Sequence, residues 1–196
     1  MNLMDAVKNL RFKTSAGMME CKDALKESNG DIEKAVDILR KKGIAKAAKK
    51  TERTAGQGVI ESYIHMGDRM GVLLEVNCET DFVARTEDFR KLTKDIAMQV
   101  AAAHPLYVDR SEVAPEAIER EKEIALAQIK DKPKAVAEKI VEGKLEKYYS
   151  ETCLLEQPYI KEPSIKIKDL VTQAIAKTGE NIVVKRFARF EVGESC

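Results

Sequence analysis

Two carboxylates, Glu79 and Asp81, flank a threonine just ahead of an aromatic in the run Asn77-Cys78-Glu79-Thr80-Asp81-Phe82-Val83-Ala84-Arg85. Paired carboxylates can divide acid and base work, but only in a substrate cleft that separates their pKa values. No histidine stands near this pair in sequence, so the chain does not read as an enzyme. The other chemistry available to such a run is recognition. An acid beside a large aromatic at a surface turn can act as a wedge in a partner. The remaining reactive side chains add little. Cys21, Cys78, Cys153 and Cys196 form no Cys-x-x-Cys pair, and His65 and His104 form no His-x-x-x-His motif. Free thiols are expected, with Cys196 the most prone to oxidation, and neither a metal nor a cofactor is implied. His65 lies on a predicted strand and reads as a structural or surface histidine. Neither common phosphate-cradling glycine loop is present.

The elements that position the run can be read from periodicity. Gly71 to Val76 is a clean apolar run, and Met70, Val72, Leu74, Val76 and Cys78 alternate as a strand. Val59 to Met66 reads as the preceding strand, with Gly67-Asp68 as the turn of a hairpin. Phe89, Leu92, Ile96, Val100 and Ala103 follow as a helical stripe that ends before Pro105. Phe82 has two readings. Seven residues before Phe89, it would share that stripe on one continuous helix. Thr80 and Thr86 are both natural caps, however, and two caps in seven residues suggest a break that frees Phe82.

Upstream, three short helices are predicted from Leu3, Val7 and Leu10; from Met18, Cys21 and Leu25; and from Ile32, Val36 and Leu39. Thr14, Ser15 and Gly17 are start signals for the second helix. Ser28-Asn29-Gly30 forms a turn into the N-cap Asp31, and Gly43 stands where a C-terminal cap belongs. Seven of the fourteen residues Arg40 to Arg53 are basic. This segment reads as a solvated linker whose first part extends a helix. The other reading is a contact with RNA or an acidic protein face through Lys46, Lys49, Lys50 and Arg53.

Downstream, helices fit Pro115–Lys130 and Pro133–Tyr149, with a proline near each start. Ala137, Val141, Leu145 and Tyr149 suggest a packed stripe, and Gly143 a close approach or a bend. Leu154–Ile167 is expected to be irregular or edge structure. A helix over Lys168–Lys177 should stop at Gly179. In the last strand Ile182, Val184, Ala188, Phe190 and Val192 share one face, interrupted by Arg186, and the strand is expected to return to the hairpin. The fold class is α+β: a three-helix bundle over residues 1–43, a basic linker over 44–57, and a core over 58–196 holding an antiparallel sheet of about three strands covered by helices. Such a sheet leaves two open edges, which invite a second copy of the chain.

Bulk composition sets limits. Charged residues make up 34% of the 196, yet the formal net charge is +1, which argues against binding nucleic acid mainly by phosphate neutralisation. A hydrophobic content of 44% can build a core. No apolar run approaches the roughly 20 residues that span a bilayer, and Met1 to Asp5 lacks the order of a signal peptide. No membrane association and a cytoplasmic location are expected.

Four blocks resemble the bacterial elongation factor Ts family, the nucleotide-exchange partners of elongation factor Tu. They are Thr14–Lys22 with Asn29-Gly30-Asp31; Lys46–Lys50; Leu74–Ala84; and Ala137–Lys139 through Gly143 to Glu156–Tyr159. The resemblance extends from the first helix to Gly193, and the third block is long and specific. It implies a ubiquitin-associated-like N-terminal bundle that holds the G domain of elongation factor Tu. It also implies that Thr80, Asp81, Phe82 and Val83 push into that domain near its Mg²⁺, so that the ion and then GDP leave. Met18, Met19 and the core-helix position Gln99 are further partner-facing positions by the same resemblance. The Asn77–Ala84 block occurs once, which is similar to the short family form that completes its core as a homodimer. Two departures stand out: Ser15 where members often have glycine, and Gln99 where many have histidine. A ribosome- or RNA-associated factor using the basic linker is the alternative.

Overall fold

The computed structural model describes residues 2–14, 16–129 and 133–194, with backbone only at 134 and 135. Ser15, Cys196 and the predicted helix end at Lys130 lie outside the described residues. The chain divides into two compact units. One gathers residues 1–58, 78–89 and 171–183; the other gathers 59–77, 90–170 and 184–196.

The first unit begins with α1 (Leu3–Thr14), α2 (Met18–Glu27) and α3 (Ile32–Ala48). Ala6, Val7, Leu10, Cys21, Ala24, Leu25, Ala35 and Leu39 form their common core. Val7 and Leu10, Cys21 and Leu25, and Leu39 are buried as their spacing predicts, whereas Leu3 and Met18 at the helix starts are exposed and Ile32 and Val36 are partly buried. Asp31 caps α3, its carboxylate accepting from Lys34 N at 3.1 Å. Asn29 (φ 53°) and Gly30 (φ 86°) make the left-handed turn ahead of it. The helix does not stop at Gly43. It runs to Ala48 and ends at Lys49, so Gly43 is not its C-terminal cap and the first part of the basic segment extends the helix as expected. Ala45, Lys46, Ala47 and Ala48 are strong helix formers and carry it onward. Gly43 serves close packing instead: a Cβ there would meet the Ala176 side chain at 3.3 Å.

The hairpin strands are β1 (Gln57–Ile64) and β2 (Met70–Cys78), with Asp68 (φ 56°) and Gly67 (φ 95°) in the turn. They are followed by α4 (Asp81–Ala84) and α5 (Glu87–Ala103). Along β2, Val72, Leu74, Val76 and Cys78 are buried. Next come α6 (Pro115–Ala127), α7 (Lys134–Thr152), β3 (Pro158–Tyr159), β4 (Glu162–Lys166), α8 (Ile167–Thr178) and β5 (Ile182–Glu191). The antiparallel sheet has the order β1-β2-β5, as expected of a late strand returning to the hairpin. The segment after Leu154 is more regular than expected, because β3 and β4 pair as a small hairpin.

Two readings of packing are corrected. The α7 stripe Val141, Leu145 and Tyr149 is only half-buried, and Gly143 faces open space. In β5, Ile182 and Val184 are buried, but Phe190 is 67% exposed, and Val192, just past the strand's end, is also exposed. Arg186 donates to Glu75 at 2.7 Å, and residues beyond it on that face remain open. On the opposite face the Arg189 side chain is buried against Glu191 and Glu194. Along the strand the less exposed positions thus shift from 182 and 184 at its start to 187 and 189 further on.

Candidate functional site

The Glu79–Arg85 run folds as a short capped turn between β2 and α5. Thr80 is the N-cap of α4, in extended conformation, and its Oγ1 accepts from Val83 N at 3.4 Å. The helix ends after one turn: Arg85 N donates to Phe82 O and Thr86 N to Val83 O. Thr86 then starts α5, its Oγ1 accepting from Phe89 N at 3.3 Å and donating to Val83 O at 2.8 Å. This is the break that two caps in seven residues imply. It leaves Phe82 78% exposed while Phe89 is fully buried.

The acids in the run have separate surroundings. Asp81 pairs with Arg85 at 2.8 Å on the surface of the turn. Glu79 points the other way, accepting from Asn181 N at 2.7 Å and lying 3.5 Å from Arg53. They do not share a cleft, and the arrangement suits recognition, not acid–base chemistry. Beneath the turn Cys78 donates to Thr80 O at 3.1 Å, and burial pushes its thiol pKa up. Cys21 and Cys153 are likewise buried and free, their pKa values raised by burial. Among the described residues no group of His, Cys, Asp and Glu could hold a metal ion.

The other predicted positions divide. Met18 and Met19 open α2 with exposed side chains. Glu20 fixes this start, accepting from Gly17 N at 3.1 Å and from Lys46. Gln99 lies elsewhere, in the second unit, and is 1% exposed. Its Nε2 donates to Gln157 Oε1 (3.1 Å) and Pro158 O (3.2 Å), and its Oε1 accepts from Ile160 N (2.9 Å). As it stands, Gln99 braces residues 157–160 and offers no surface to a partner.

Four of the seven basic residues of Arg40–Arg53 are engaged within the chain. Lys42 pairs with Glu27, Lys46 with Glu20 and Arg53 with Glu79, while Lys50 donates to Gly179 O. Three residues escaped sequence reasoning. Phe12 is 91% exposed at the end of α1, and its place off the Leu3-Val7-Leu10 stripe was the available signal. Glu180 and Asn181 bind the Glu79-Thr80 pair from about a hundred residues away, which no local pattern could reveal.

The family model described as Elongation factor TS matches residues 2–194. The chain is 63% identical over 190 residues to an Elongation factor Ts of Thermodesulfovibrio yellowstonii, covering 96% of this chain and 95% of that one. To that of Caldanaerobacter subterraneus subsp. tengcongensis it is 61% identical over 191 residues, 96% of each. To that of Thermotoga maritima it is 60% identical over 191 residues, 97% and 96% of the two. With a capped turn carrying the specific sequence block and relatives matched over nearly their whole length, the chain belongs to the elongation factor Ts family of translation elongation factors.

Proposed function

We propose that this chain is a guanine-nucleotide exchange factor for elongation factor Tu and that the Thr80–Val83 turn does the displacing. The observation that carries the reading is the exposure of Phe82 on a turn whose backbone is fixed by caps on both sides. An exposed aromatic with little freedom loses little entropy on docking and suits a hot spot. Asp81 supplies charge-assisted hydrogen bonds to the partner. Entry near the bound Mg²⁺ shifts the groups that hold the ion. Losing that charge weakens the hold on the diphosphate. No covalent step is involved. Factor and GDP weaken each other's binding by one shared factor, and GTP reverses the complex by the same linkage. The helices of residues 1–43, with Met18 and Met19 exposed, provide the holding surface, while Gln99 supports the fold by bracing residues 157–160.

We also propose a homodimer through the open sheet face. Ile64, Leu73, Phe190 and Val192 are exposed around an open apolar hollow of about 480 Å³, and Ile60 is exposed on the same strand as Ile64. A contiguous apolar face of this kind marks an interaction surface. The RNA-binding alternative loses support from the internal partners of Lys46, Lys50 and Arg53.

The test is release of labelled GDP from the matched elongation factor Tu. Wild type should accelerate it and Phe82→Ala should lose most of the acceleration. No acceleration by wild type would overturn the proposal.

A further inference from the structure

Behind the exposed turn lies a set of contacts that the exchange reading leaves without a role. Glu180, in the loop after α8, receives both hydrogens that Thr80 can offer: Thr80 N at 3.0 Å and Thr80 Oγ1 at 2.6 Å. The next residue reverses the direction. Asn181 N donates to Glu79 Oε1 at 2.7 Å. Two adjacent residues of one loop thus clasp two adjacent residues of another, each side contributing one carboxylate. Gly179 (φ 78°) turns the chain into this position, a conformation that favours glycine.

The clasp extends to the chain leaving the N-terminal helices. Asn181 Nδ2 donates to Thr51 O at 3.3 Å and to Arg53 O at 2.8 Å. Lys50 Nζ donates to Gly179 O, and the Arg53 guanidinium lies 3.5 Å from Glu79. Asn181 is buried, and its Oδ1 has no partner among the described residues.

A threonine at an N-cap needs only to accept one backbone hydrogen bond. Thr80 does so, from Val83 N, while Glu180 holds the hydroxyl proton as well. With donor and acceptor roles both filled, the hydroxyl has one orientation. The bonds from Glu180 are charge-assisted, hence short and directional. They fix the residue that precedes Asp81 and Phe82.

We infer that Glu180 is a positioning residue for nucleotide exchange: through Thr80 it holds Phe82 in the orientation that enters the partner, and with Asn181 it ties that turn to residues 51–53. This rests on the reading of Thr80–Val83 as the displacing turn. Without Glu180 the cap to Val83 persists, so α4 still forms, but the turn samples more orientations. Only the competent fraction then acts. Because the helical bundle holds the partner separately, the loss falls on the rate within the complex.

The experiment compares wild type with Glu180→Ala, Glu180→Gln and Phe82→Ala in GDP release at a series of factor concentrations. Glu180→Ala should lower the maximal rate roughly tenfold with less than about a twofold change in the half-saturating concentration. Glu180→Gln can accept from Thr80 N and donate to Thr80 Oγ1, and should recover to within about threefold of wild type. Hydrogen exchange at the amides of residues 81–83 should quicken in Glu180→Ala and not in Glu180→Gln. A wild-type maximal rate in Glu180→Ala overturns the inference; so does a loss confined to half-saturation, or a Glu180→Gln as poor as the alanine variant. If wild type itself fails to release GDP, the proposed function falls, and the partner-free amide exchange still decides the positioning. Should Glu180→Ala not fold, Glu180→Asp, one methylene shorter, is read by the same criteria and should fall between alanine and wild type.

Discussion

Phe82 and Phe89 lie seven residues apart in one run and end in opposite environments, the first 78% exposed and the second 1% exposed. On a continuous helix seven residues are two turns, and both rings would face one way. The chain avoids this by stopping α4 at Ala84 and restarting at Glu87, with Thr86 bonded to both sides of the break. The two phenylalanines should therefore respond to truncation in different measurements. Phe82→Ala removes no packing and should leave stability within about 0.5 kcal/mol of wild type. Phe89→Ala opens a core cavity and should cost about 3–5 kcal/mol, lowering Tm by roughly 10 °C or more. Equal losses of Tm in the two variants would place Phe82 in the core and remove it from the displacing turn.

Gln99 offers a second contrast. All of its polar atoms are engaged with Gln157, Pro158 and Ile160, and Gln157 in turn donates to Ala103 O and Glu151 O. A buried amide pair of this kind is worth most when complete. Gln99→Ala leaves several buried groups unpaired and should cost about 2–3 kcal/mol, or roughly 5–10 °C in Tm. Its maximal rate of GDP release, measured well below Tm, should stay near wild type. A variant with unchanged Tm and impaired release would make Gln99 a contact residue instead.

Much of this architecture was legible because local rules and tertiary packing agree. Val7 and Leu10 and the stripe Phe89-Leu92-Ile96-Val100 are buried as their spacing demands, and Asp31 and Thr80 cap as their types demand. Illegible features depend on what covers a surface. Alternation assigns Ile182 and Phe190 to one face, yet the less exposed positions shift from 182 and 184 to 187 and 189 along the strand and leave Phe190 exposed. Gly43 looked like a helix end because glycine ends helices, whereas its role is set by Ala176 on a distant helix. The turn itself was readable from its threonines. Its clasp by Glu180 and Asn181 was not, because two residues a hundred positions apart leave no periodic signal.

The open sheet face gives a prediction about assembly. Leu73 and Phe190 are exposed on β2 and β5 and line the same hollow. A face of this composition is stable in water when a second copy covers it. Light scattering should give twice the 21.9 kDa protomer mass. Leu73→Lys combined with Phe190→Lys should return the protomer mass without loss of helical circular dichroism, since neither side chain is in the core. A wild-type monomer would refute the proposed homodimer, and a dimer untouched by the two lysines would move the interface elsewhere.

Glu156 carries the last prediction. Its carboxylate is nearly buried and bonded to Arg110 Nε at 3.0 Å, Lys166 at 2.8 Å and Lys168 at 3.2 Å. Arg110 also grips Glu146 through two bonds of 2.6 and 2.7 Å and lies 4.6 Å from the Tyr149 ring centroid. Burial alone would raise the Glu156 pKa, but the hydrogen bonds from the three cations outweigh it and pull the value down to about 2 from 4.5. A folded pKa below the unfolded one stabilises the fold at pH values above 4.5 and ceases to do so as pH falls towards 2. The contribution near neutrality is roughly 3 kcal/mol, and more than about half of it is gone by pH 3. Urea unfolding of wild type and Glu156→Gln should therefore differ most at pH 6, with the gap between their midpoints closing as pH drops through 4 and 3. The variant should be the less stable at pH 6, because it leaves three cations around an uncharged amide. A gap that stays constant from pH 6 to pH 3 would mean that the cluster contributes packing and not charge.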